Sequence, residues 1–268
     1  MPAVELTRLH TQIRLLLQHY ASADDFARAL ADLYEFYSDR TFTQSDAGRR
    51  DLTLPAYNVV PLITHQLELE LGRMCIENPL SSLDVIDVLW RQEKREPRFL
   101  AAYLLGKLPV DYSQAIIDRL HRWSTPNEDR ELLKYTHDVG SSALRRQVPQ
   151  KWLAVIQTWL ESDSSQDQIF GLQSLLPFIE DADFADLPKV FDLVALELPH
   201  PQARVLFTLQ TVVEALTRRT PKETVYLLKR ALGQGHSNDL TRLVRRALPV
   251  FPEEQQRSLK EAIGKPSL

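Results

Sequence analysis

The chain has 268 residues, 44% hydrophobic and 25% charged, enough to bury a substantial core, and its formal charge of −4 argues against a uniformly basic nucleic-acid binder. Its one cysteine, Cys75, excludes an intrachain disulfide and gives no basis for a cysteine-ligated structural metal, and neither a metal nor a cofactor is expected. Eight glycines and sixteen prolines exclude a collagen-like or low-complexity chain. No apolar run reaches about eighteen residues, and the first segment, MPAVELTRLHTQIRLLLQHY, alternates charge with leucine, so no membrane partner is expected and the expected location is cytoplasmic.

In chain order, Leu9, Ile13, Leu16 and Leu17 predict a first helix over 4–20. A second is predicted over 24–37, with Ser22 as its cap and Asp24 and Asp25 in its first turn, where the helix dipole favours them. Residues 38–54 are polar and aperiodic and read as a loop, followed by a helix near 57–77 that stops at Asn78-Pro79. Helices at 82–92 and 97–107 flank a turn ending in Pro97. Later hairpins turn near Ser165, at Pro199–Pro201 and at Gly233–Asn238, and an intermediate unit turns at Thr125–Asn127.

The markers Pro97, Ser165, Pro201 and Asn238 lie 68, 36 and 37 residues apart, the longer interval holding the intermediate unit. Two antiparallel helices recurring at about this spacing form a helical repeat array, in which each hairpin buries its apolar face only by stacking on its neighbours. The expected fold is all-α, a HEAT-like helical-repeat solenoid or α-α superhelix. An N-terminal helical cap at 1–80 is continuous with five repeats over 81–268, and a compact bundle is the structural alternative.

Charge divides unevenly along the chain. Residues 151–200 carry two Lys/Arg against nine Asp/Glu, whereas 201–250 carry nine against three. The basic group comprises Arg204, Arg218, Arg219, Lys222, Lys229, Arg230, Arg242, Arg245 and Arg246. Arg242, Arg245 and Arg246 fall at i, i+3 and i+4, on one helical face that suits phosphate, and Arg145 and Arg146 extend the set. Trp123 and Trp159 flank predicted turns and are the candidates for an exposed aromatic, while Trp90 and Trp152 are read as packing residues. The stretch KYTHDVGSSALRR (134–146) gathers Tyr135, His137, Asp138, Arg145 and Arg146. Asp138 reads as the cap or first-turn acid of a helix starting at 138–142, and His137 as a loop histidine. No phosphate loop or nucleophile elbow is present: GQG at 233–235 lacks a preceding strand and a following Lys-Ser/Thr pair.

Residues 82–262 resemble the HEAT-like DNA alkylation repair proteins, the alkylpurine DNA glycosylases. The resemblance rests on LDVIDVLWRQEKREPRFLAAYLLGKL, WLAVIQTWLESDSSQDQIFGLQSLL and the basic closing segment NDLTRLVRRALPVFPEEQQRSLKEAI. It implies a basic concave face that holds the duplex backbone. It also implies an aspartate that, with aromatics and an arginine, offsets positive charge as an alkylated base leaves. Aligned on Val139 and the following SSA, Thr136 occupies the family's tryptophan, His137 its first aspartate and Gly140 the aspartate that matters. A slide of two residues makes Asp138 the carboxylate, with Tyr135 three residues before it. Where the family has an aromatic and two arginines, SSQDQIFG at 164–171 supplies Phe170 alone.

These departures lead to a divergent or non-catalytic nucleic-acid binder, with double-stranded or damaged DNA as partner. Its candidate contacts are Tyr135, Arg145, Arg146, Trp123, Trp159, Arg218, Arg219, Arg242, Arg245 and Arg246. A scaffold for an acidic protein segment is the alternative, and an alkylpurine glycosylase using Asp138 the third reading.

Overall fold

The apolar spacing of the first segment produces α1 (Leu6–Leu17), which buries Leu9, Ile13 and Leu16 as read from the sequence. The structure, a computed structural model, describes residues 5–38, 54–126, 128–234 and 237–264. Most of the predicted loop at 38–54, Asn127 of the intermediate turn and part of the Gly233–Asn238 turn lie outside the described residues. Every described element is helical, apart from a single β-bridge between Ser38 and Val59. The protein is therefore all-α. No helix among the described residues is long and apolar enough to cross a membrane.

The chain divides into two compact units, residues 1–148 and 149–268. The first contains α1, α2 (Ala23–Tyr37), α3 (Pro61–Glu77), α4 (Pro79–Trp90), α5 (Arg95–Leu105), α6 (Ser113–Trp123), α7 (Arg130–Tyr135) and α8 (Ser142–Gln147). Helix α5 is its hub and packs on α3, α4 and α7. Its Leu100, Ala101, Ala102, Leu104 and Leu105 are fully buried, so its small and large apolar residues fill the space between these neighbours. Pro79 and Pro61 each open a helix, where a missing N–H costs nothing. Pro97 sits in the first turn of α5, which starts two residues before the helix start expected at Pro97.

Ion pairs tie α6 to α4, and α5 to α7 and the loop before it. Arg119 grips Asp87 through two nitrogens, at 2.9 and 2.5 Å, and Arg98 grips Glu128 at 2.8 and 3.0 Å. Arg95 pairs with Glu131 at 2.7 Å. The forked Arg119–Asp87 pair fixes geometry as well as charge.

The second unit contains α9 (Pro149–Leu160), α10 (Ser165–Glu180), α11 (Leu187–Glu197), α12 (Leu206–Arg219), α13 (Pro221–Gln234), α14 (Asn238–Ala247) and α15 (Glu253–Gly264). Helices α10, α12 and α14 pack side by side in one layer; α9, α11, α13 and α15 do so in the other. Consecutive helices alternate between the layers. Ser164 caps α10 through the Asp167 N–H and Ser237 caps α14 through the Leu240 N–H, which starts each helix where the sequence signalled a turn. Gly171 lets α10 approach α9 closely: a Cβ there would lie 2.9 Å from Leu160 Cδ2.

Candidate nucleic-acid interface

The segment 134–146 is helical almost throughout. Asp129 caps α7 by accepting the N–H groups of Glu131 and Leu132 at 2.9 and 3.0 Å, whereas α8 starts at Ser142, within the expected 138–142, without a side-chain cap from Asp138. After α7 the backbone widens into a π-helical turn over Thr136–Gly140 before α8 begins. Two glycines make that turn possible. A Cβ on Gly106, just past the end of α5, would collide with the Val139 carbonyl, and one on Gly140 would press on Leu120 at 3.3 Å and the Ala102 carbonyl at 3.4 Å. Ser142 closes the contact by donating to the Gly106 carbonyl at 3.1 Å.

Most of the polar side chains of this segment are committed to the fold. His137 is 3% exposed and lies 3.4 Å from Ser124 Oγ, a core position in place of the predicted loop site. Asp138 is half-buried and pairs with Lys134 at 3.1 Å. Arg145 donates to the Asp138 carbonyl at 2.5 Å and to Ser141 Oγ at 3.1 Å, so it ties the end of the π turn to α8. Arg146 is exposed. The Tyr135 hydroxyl donates to Glu68 at 3.4 Å and its ring meets Phe99 at 4.9 Å. Burial, and then the Glu68 charge, push the Tyr135 phenol up from its ordinary value; burial also raises Glu68.

The two tryptophans expected at exposed positions both pack. Trp123 is 3% exposed and stacks on Trp90 with centroids 3.9 Å apart, a correction to the exposed site inferred from its place beside a turn. Trp159 is half-buried between Trp152 and Phe170, at 5.3 and 4.2 Å. Both fill space where a turn meets the hydrophobic layer.

The basic residues of the second unit separate by role. Arg219 donates to the carbonyls of Phe178, Ile179, Ala182 and Phe184 at 2.8 to 3.3 Å. Those are the last carbonyls of α10 and the loop after it, which no intrahelical N–H can satisfy, so Arg219 is a structural brace. Arg218 is exposed and loosely paired with Glu214 at 3.5 Å. On α14, Arg242, Arg245 and Arg246 are exposed and line one cleft of about 450 Å³ together with Asn238 and Thr241. Arg242 stands 3.7 Å from Asp239, whereas Arg245 and Arg246 have no carboxylate partner among the described residues. Leu240, Leu243, Val244 and Ala247 face inward, which turns the three guanidiniums out together.

Among the described residues no group of three His, Cys, Asp or Glu side chains could hold a metal ion. The sequence reading passed over Glu68, which only the packing of α3 against α7 brings to Tyr135. It also passed over Tyr226, whose spacing from Lys222, Lys229 and Arg230 was a visible signal.

The described elements are helices, and α14 presents an exposed cleft lined by arginines. A family model described as DNA alkylation repair enzyme matches residues 73–247, about two thirds of the chain, and the chain belongs to that family. No curated protein and no solved structure matches it.

Proposed function

We propose that the chain is a HEAT-like repeat protein, with residues 1–80 as its cap, that captures the DNA backbone without excising a base. The alternation of layers in the second unit supports the repeat reading. The observation that carries the binding reading is the α14 cleft: it holds three exposed arginines, two of them with no carboxylate partner among the described residues. Free guanidiniums in a cleft are matched to phosphate oxygens, whereas Arg95, Arg98 and Arg119 of the first unit are already occupied by carboxylates. Arg218, exposed on α12 of the same unit, supplies a further cationic contact in this reading.

Catalysis is set aside for two reasons. The resemblance puts Gly140 where the family's carboxylate acts, and Gly140 is buried against Leu120 and Leu105. Asp138, the neighbouring carboxylate, is paired with Lys134. Base release from alkylated duplex DNA is therefore expected at background for the wild type and for Asp138→Asn alike. Release that depended on Asp138 would overturn the non-catalytic part of the proposal. For the binding part, substituting Arg245 and Arg246 by alanine is expected to weaken duplex affinity by about the same factor for every sequence, since phosphate contacts carry no base information. Retained affinity in that variant would overturn it.

A further inference from the structure

Helix α13 carries a second cationic face, distinct from that of α14. Thr224, Val225, Leu227, Leu228, Ala231 and Leu232 are buried, and they pack the helix on α12 and α15. Lys222, Tyr226, Lys229 and Arg230 are exposed, and their spacing of i, i+4, i+7 and i+8 sets them along one stripe. Tyr226 is 71% exposed, the largest exposure among the large hydrophobic side chains of the described residues. No carboxylate pairs with Lys222, Lys229 or Arg230 among the described residues, although Glu223 stands next to Lys222 in the chain. Lys229 instead donates to Ser258 of α15 at 2.5 Å, which fixes its ammonium at the edge of the face. Beyond Arg230 the stripe stays open, because a Cβ on Gly233 would meet nothing within 4 Å.

From this juxtaposition we infer that the α13 face docks an acidic, amphipathic segment of a partner protein. An apolar side chain of that segment lies against the Tyr226 ring, and its carboxylates flank it on Lys222, Lys229 and Arg230. A tyrosine offers a large contact surface with few rotamers to freeze and forms the anchor; the three cations supply the charge complementarity that selects the partner. Single-stranded nucleic acid fits the face less well. Such strands use a succession of stacked rings, and Tyr226 has no aromatic neighbour among the described ring contacts. The duplex assigned to α14 belongs to the other helix layer of the same unit, so the two faces serve different ligands.

The test uses the full chain and a fluorescent synthetic helical peptide with a leucine stripe flanked by Asp and Glu. A scrambled peptide of the same composition and a duplex oligonucleotide serve as comparisons. The amphipathic peptide is expected to bind saturably and the scrambled one about tenfold more weakly. Tyr226→Ala is expected to weaken the amphipathic peptide about tenfold and leave duplex affinity unchanged; Lys222→Glu with Arg230→Glu abolishes peptide binding. Because these side chains are exposed, an unchanged circular dichroism spectrum and melting curve establish that the variants fold. Equal binding of the scrambled peptide, or indifference to Tyr226→Ala, would overturn the inference. So would equal loss of duplex and peptide on Tyr226→Ala, which would assign the face to nucleic acid. The α14 variant Arg245→Ala/Arg246→Ala is expected to keep peptide binding while losing the duplex, so the inference and the DNA proposal fail separately.

Discussion

Gly106 and Val139 touch where two helices would otherwise be held a side chain apart. The π turn at Thr136–Gly140 aims the Val139 carbonyl at α5, and a Cβ on Gly106 would occupy the place of that oxygen. Gly106→Ala is therefore expected to destabilise the protein by about 1–3 kcal/mol, the cost of overpacking a tight contact, measured by denaturant unfolding. Glu197, at the end of α11, is 6% exposed, and its Oε1 has no hydrogen-bond partner among the described residues. Burial raises its carboxyl to about 7 from an ordinary 4.5. Between those values the folded protein binds a proton that the unfolded chain releases, so stability falls as pH rises through this window and is lowest above it. Glu197→Gln is expected to raise the melting temperature at about pH 8 and to leave it nearly unchanged at about pH 5. A gain of equal size at both pH values would show that ionisation is not the cause.

At the scale of elements, α12 and α14 divide labour that looks uniform in the sequence. Arg219 closes the end of α10 with four carbonyl contacts, while Arg245 and Arg246 face the cleft. Arg219→Lys keeps the charge but loses the fork. It is expected to lower the melting temperature without altering duplex affinity, checked by thermal melting and by titration. The helices themselves were largely legible: Leu9, Ile13 and Leu16 on α1, and the Ser164 and Ser237 caps on α10 and α14, follow from period and turn chemistry. The segment at 134–146 was less so. The start of α8 at Ser142 was foreseen, but Asp129 caps the preceding α7, and a π turn, which depends on a glycine at the end of another helix, carries the chain through Gly140 without a break. No periodicity in the segment itself encodes that partner. Trp123 misled for a related reason: a turn nearby signals solvent, but stacking on Trp90 removes the ring from it. In the candidate site, the i, i+3, i+4 arginines of α14 were legible because a single helix displays them, whereas the bonds of Arg219 run to residues at least 35 positions away.

On the scale of the whole molecule, charge is sorted by position. The acidic stretch 151–200 and the basic stretch 201–250 both belong to the second unit. The acids concentrate in α10, α11 and the turns that precede them, and the cations in α12, α13 and α14. The overall charge of −4 therefore conceals a local cationic surface, which is why net charge is a poor guide to a phosphate-binding role here. The most direct measurement of that role is the salt dependence of duplex affinity, compared between wild type and Arg245→Ala/Arg246→Ala over about 50 to 200 mM salt. Each phosphate contact contributes a slope of about −0.9 to log K against log salt. If α14 captures the backbone, wild-type affinity drops steeply with salt and the double variant loses about two units of slope. An affinity indifferent to salt, or the same slope in both proteins, would contradict backbone capture by α14.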